Sequence, residues 1–148
     1  MSLFKQKQDV LTPKQLHELA LEAAKSEAHK HLDEAAHAEE EKRHMREAFL
    51  AREVTPDVMD RLMPVVRRVA EQGQNELLVL QFPASYLNDG GRRINNFEAD
   101  WPTSLEGFAK NAFHYWEEHL RPHGYKLRAQ ILDYPGGNLG DVGLYLCW

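Results

Sequence analysis

None of the nine glycines in this 148-residue chain falls within residues 1–53; all of them lie in residues 54–148. The first stretch also holds one proline, and its only aromatic residues are Phe4 and Phe49. Such a segment has little with which to shape turns or fill a core. The remaining 95 residues carry six of the seven prolines, every Trp and every Tyr. The chain therefore reads as a helical arm, 1–53, followed by a compact domain, 54–148. About 95 residues suffice for a core without disulfide or metal staples.

The arm is dominated by Ala, Glu, Lys and Leu, which favour helix. Thr12-Pro13-Lys14-Gln15 supplies an N-cap, a proline at the first helical position and a glutamine placed to close a capping box. The apolar stripe is thin. Leu16, Leu19, Ala20, Ala23 and Ala24 open it, Leu32 and Ala35 continue it, and Met45, Ala48 and Phe49 close it. A helix this polar is not deeply buried. A bend near Ser26–Lys30 and local disorder around Ala38–Lys42 are both compatible with it. Pairing with another helix would use Leu16, Leu19, Leu32 and Phe49.

In the domain, Thr55-Pro56-Asp57 marks a second helix start, and Val58, Leu62, Val65, Val66 and Val69 have helical spacing. Pro64 predicts a kink or break within it. Glu76–Phe82 is a continuous apolar run bounded by turn residues, which predicts a central strand covered on both faces. Asn88-Asp89-Gly90-Gly91 is a turn signal, and Arg92–Phe97 is read as a short returning strand. Thr103 and Glu106 stand in capping-box spacing, and Leu105, Phe108, Ala109, Ala112, Phe113, Trp116 and Leu120 predict a helix over 103–120. Residues 125–131 and 142–148 alternate as strands on either side of the Gly-rich turn 133–141. The order predicts an α+β fold: a small, mostly antiparallel sheet of three or four strands with helices on one face, plus the long polar N-terminal arm.

Composition excludes several function classes. Eighteen Lys+Arg against 23 Asp+Glu give a formal charge of −5, and that charge is shared between arm and domain. A general nucleic-acid binder shows a basic patch instead. The basic residues Arg67, Arg68, Arg121, Lys126 and Arg128 are scattered, and no RNP-type aromatic motif accompanies them. No apolar run is long enough to span a bilayer. Met1–Gln8 has no apolar core of the kind a signal peptide needs. The lone Cys147 rules out an internal disulfide and a Cys-rich zinc site. A cytoplasmic protein is the expectation.

Three patterns could carry chemistry. Glu34-x-x-His37 and Glu41-x-x-His44 repeat a spacing used by di-iron carboxylate bundles. His37, Glu41 and His44 are thus candidate metal ligands, yet both copies sit on one helix, and a charge-laced solvated face explains them without a metal. The polar loop 83–102 carries Asp89, Arg92, Arg93, Asn95, Asp100 and Trp101. Adjacent guanidinium groups can grip a carboxylate or phosphate; the plainer reading has them paired with nearby acids while Asp89 serves its turn. The loop 133–141, ending at Asp141, lacks the EF-hand ligand pattern and reads as a wide hairpin connection. No catalytic residue and no cofactor is expected, because no nucleophile here has an evident activating partner. The expected role is a non-enzymatic protein–protein interaction or assembly module whose arm pairs with a partner or a second copy, giving a homodimer. The alternative is a small-ligand binder or enzyme built on loops 83–102 and 133–141.

Overall fold

The computed structural model describes residues 10–148; the arm's first nine residues, and with them the reading of Met1–Gln8, lie outside the described residues. The chain divides into two compact units, Met1–His44 and Met45–Trp148.

Helix α1 runs from Pro13 to Ala51. Its start is the expected capping box: the Thr12 N–H donates to Gln15 Oε1 at 2.9 Å and the Gln15 N–H to Thr12 Oγ1 at 3.2 Å. The helix is uninterrupted through Ser26–Lys30 and through Ala38–Lys42, where a bend and local disorder were both compatible with the sequence. Ala and Glu propensity carries those turns, helped by exposed i, i+4 pairs such as His29–Asp33 at 3.4 Å and His37–Glu41 at 3.3 Å. No residue of α1 is buried.

The second unit is α+β. Helix α2 spans Val58–Glu71, strand β1 Glu76–Pro83, the short helix α3 Arg92–Asn95 and helix α4 Gly107–Tyr115. A π-helical turn, Trp116–Leu120, extends α4, and strands β2 (Lys126–Ile131) and β3 (Asp141–Cys147) complete the fold. The three strands form one antiparallel sheet in the order β1-β3-β2.

Several elements differ from the sequence reading. The central strand is β3, and β1 is an edge. The continuous run Leu77–Leu80 concealed a register shift: Leu77 pairs with Leu146 and Leu80 with Leu144, so Val79 is the extra residue of a bulge. Once it is counted, Leu77, Leu80 and Phe82 share a face in ordinary alternation. The segment 92–97 is a helical turn, not a strand. Pro64 does not break α2. Both Pro64 and Asp60, whose carbonyl loses its i+4 donor, are exposed, so solvent reaches that group. Thr103 lies in a 3-10 turn and bonds the Asp100 carbonyl, so α4 begins only at Gly107.

The core rests on one face of the sheet. Val142, Leu144 and Leu146 are buried to 1% exposure or less. Leu105 and Ala109 pack with Val142 and Leu144, while Val66 and Leu120 pack with Leu146. On the opposite face the Arg128 guanidinium lies over the Tyr145 ring and is bonded to Glu76 at 2.6 Å.

Phe49 was expected as a contact for a partner. It is half-buried and packs against the rings of Phe82, Tyr86 and Phe108 at 5.2, 5.0 and 6.0 Å. Its apolar area is therefore spent within the second unit. The next residue, Leu50, meets Gly107 backbone to backbone. A Cβ on Gly107 would stand 2.4 Å from Leu50 Cα, and Gly107 also has a φ of +56°. Gly107→Ala therefore combines overpacking with left-handed strain and should cost about 2–5 kcal/mol. Gly124→Ala, at φ +95° with nothing near the added carbon, should cost about 1 kcal/mol from strain alone. Urea denaturation of the two variants checks this; equal losses would contradict the Leu50 contact.

Candidate functional site

The loops 83–102 and 133–141 meet at one end of the sheet. Tyr134 Oη donates to Asn95 Oδ1 at 2.9 Å, the Ala84 N–H donates to the Gly140 carbonyl at 2.9 Å, and Leu139 packs on the core cluster that contains Ile94. Most of the charged candidates there, however, are occupied with holding the loops.

Asp89 is the organiser. Its carboxylate accepts the Gly91 N–H at 2.9 Å and the Arg93 N–H at 3.0 Å, capping α3. Arg93 is clamped between two acids, at 3.3 Å from Asp89 and 3.2 Å from Asp100. Partial burial pushes the Asp89 carboxyl up. The Arg93 and Gly91 amides and the Arg93 guanidinium outweigh that and hold it below the ordinary carboxylate value. Asp141 lies in a different arrangement, accepting from Gln81 Nε2 at 2.9 Å while its own N–H donates to Asp133 Oδ1 at 2.6 Å. Trp101 packs edge-on against Phe113. Arg92 is exposed. Asp89, Arg93 and Asp100 are thus brought together, with Asn95, Asp141 and Trp101 in separate contacts.

The loop also holds a residue the sequence reading passed over. Phe97 follows α3 at the position where a left-handed glycine normally ends a helix. The Phe97 N–H donates to the Ile94 carbonyl at 3.2 Å and the Glu98 N–H to the Arg93 carbonyl at 3.0 Å, a Schellman closure. Phe97 has a φ of +54° and is 87% exposed.

On the arm, the histidines find carboxylates at i, i+4 spacing. His37 pairs with Glu41 at 3.3 Å and His44 with Glu40 at 3.6 Å, while Glu34 lies 3.9 Å from His31. Among the described residues, no group of three or more His, Cys, Asp or Glu side chains is placed to hold a metal ion. No described helix is long and apolar enough to cross a membrane. Leu16, Leu19 and Leu32 are exposed, at 50%, 53% and 70%.

The most enclosed apolar space in the second unit lies elsewhere. A cavity of about 150 Å³ is walled by Val58 and Leu62 of α2, Val79 and Leu80 of β1, and Phe108 and Ala112 of α4. Its buried lining is Leu120, Leu144 and Leu146, and its exposed lining includes Arg52, Glu53, Thr55 and Arg61. The Arg52 guanidinium lies over the Phe108 ring, 4.2 Å from its centroid. Arg61 is engaged by Asp57 at 3.2 Å and Thr55 Oγ1 at 2.7 Å. None of the loop candidates lines this space. Val79 and Leu80, at the register shift in β1, both line it, and the continuous apolar run 77–80 gave no sign of that.

Two outcomes test the loop assignment. Asp89→Ala should lose about 1–2 kcal/mol at neutral pH, the cost of a missing cap. A carboxylate held below its ordinary value stabilises the fold above the ordinary value near 3.8 and ceases to do so as pH falls through the lower folded value. The wild-type advantage should therefore shrink below about pH 4, as read from denaturation midpoints against pH. Phe97→Gly should gain about 1 kcal/mol, since it relieves left-handed strain and gives up almost no burial; a loss on thermal unfolding would show that the ring has a packing role.

No protein-family model matches this chain, and neither a curated protein nor a solved structure matches it.

Proposed function

We propose that this protein is a non-enzymatic assembly module whose helical arm pairs with the arm of a second copy. The observation that carries this reading is the length of helix without internal cover: residues 13–48 of α1 are all exposed. Helices in proteins draw most of their stability from packing an apolar face.

Helix geometry says which face. At about 100° per residue, Leu16 and Leu19 lie roughly 140–160° around the axis from Leu32, so the three cannot share one straight seam. Leu21, Lys25, Ala28, Leu32, Ala36, Glu39 and Arg43 all fall within about 40° of one line. The pattern along that line is self-complementary in one direction only. In an antiparallel pair centred on Leu32, Lys25 faces Glu39 of the second copy, Ala28 faces Ala36, and Leu21 lies against the aliphatic stem of Arg43. In a parallel in-register pair, Lys25 would face Lys25 and Glu39 would face Glu39. Exposed ion pairs are each worth about 1 kcal/mol or less, so their effect is on orientation more than on strength. Small residues at 28 and 36 let the two backbones approach, and the contact would span about 33 Å.

The test is oligomeric state by light scattering or sedimentation equilibrium on the full chain. The full chain should be dimeric, Leu32→Glu monomeric, and Lys25→Glu weakened, with association restored in Lys25→Glu/Glu39→Lys. Leu16→Glu/Leu19→Glu, on the other side of the helix, should leave the dimer intact. A wild-type monomer at about 100 µM, or a dimer indifferent to Leu32→Glu, would overturn the reading.

A further inference from the structure

The cavity in the second unit has an independent meaning. A domain of about a hundred residues gains stability by filling its core, since protein interiors pack as densely as organic crystals. Here an apolar cleft of about 150 Å³, partly open to solvent, reaches down to Leu62, Leu80, Leu144 and Leu146 and leaves part of that core uncovered. It matches in size an engineered apolar cavity that takes up benzene.

Two further observations concern residues of its lining. Trp116 and Leu120, both lining residues, are the first and last residues of the π-helical turn. Such turns are uncommon and recur at functional sites. The indole Nε1 of Trp116 is buried with no hydrogen-bond acceptor among the described residues, and buried donors of that kind are rare.

The rim supplies the polarity of the occupant. Arg61 is neutralised by Asp57, but the Arg52 guanidinium carbon lies over the Phe108 ring, and no described carboxylate lies within ion-pair distance of it. A guanidinium held over a ring keeps N–H donors that can meet a carboxylate. Tyr115 also lines the space, its ring centroid 4.5 Å from that of His119. Glu53 is the one acid on the lining, and it disfavours a bulky, multiply charged head.

We propose that this cavity binds a small apolar monocarboxylate, with a body of about six carbons against Leu144 and Leu146 and a carboxylate on Arg52. An apolar pocket with a few placed polar groups is the ordinary form of a small-molecule site.

Titration calorimetry on the full chain with benzoate, benzamide and benzylammonium tests it. Benzoate should bind saturably, and at least about tenfold more tightly than either of the others, the difference expected from a charge-assisted hydrogen bond. Arg52→Gln should bring benzoate down to the level of benzamide; Arg52 is exposed, so its replacement does not threaten the core. Ala112→Phe should fill the space and abolish binding of benzoate and benzamide alike. If that variant fails to fold by circular dichroism, the Arg52→Gln comparison decides alone. No saturable binding of benzoate at millimolar concentration would overturn the proposal, as would tightest binding of benzylammonium. Benzoate affinity unchanged in Arg52→Gln, or in a folded Ala112→Phe, would also overturn it.

Discussion

The second unit depends on β3. Among the described residues this strand alone has two neighbours, and Val142, Leu144 and Leu146 form the row against which both core clusters assemble. Gly143 on the reverse side has no room for a side chain, since an added Cβ would stand 2.9 Å from both Leu78 and Leu132. The strand is thus hemmed in on both faces, while β1 and β2 each keep one open edge. Ala109 of α4 and Leu120 of the π turn belong to the clusters that this row anchors.

Much of the architecture was legible from residue patterns. The α+β class, the arm, the Thr12–Gln15 cap and the alternating strands at 126–131 and 141–147 follow from local signals that point the same way as the tertiary fold. Each misreading concerned a residue whose setting its own side-chain pattern did not reveal. The bulge at Val79 turned an alternating strand into an apparently continuous one. Asp89 capped a helix where the side-chain pattern of 92–97 suggested a strand. Solvent exposure made Pro64 harmless within α2. The candidate site was less legible still. Acidic neighbours explain why Arg93 is unavailable, but the cavity is made by residues from five elements, and no spacing in the chain announces such a convergence.

The two units use different physics. The domain buries apolar side chains on a sheet. The arm has no such face and relies on helix propensity and exposed pairs such as His29–Asp33 and His37–Glu41, each worth a few tenths of a kcal/mol. Phe49 shows where one regime gives way to the other. It is the first residue of α1 to pack among aromatic rings, and contacts within the second unit begin at Met45.

The sheet topology also bears on the order of events when the chain is made. Strand β1 pairs with a strand whose residues come more than fifty positions later, and Glu76 meets Cys147. Until β3 has emerged, β1 and β2 have no partner, because they never pair with each other. Helix α1 needs only neighbours three and four residues away, and local contacts of that kind form orders of magnitude faster than distant strand pairings. On a ribosome adding about 5–20 residues per second, the arm has seconds as a helix before the domain can close. A nascent chain thus displays its Leu32 face while β1, with Leu77, Leu78, Val79 and Leu80, still lacks its strand partner.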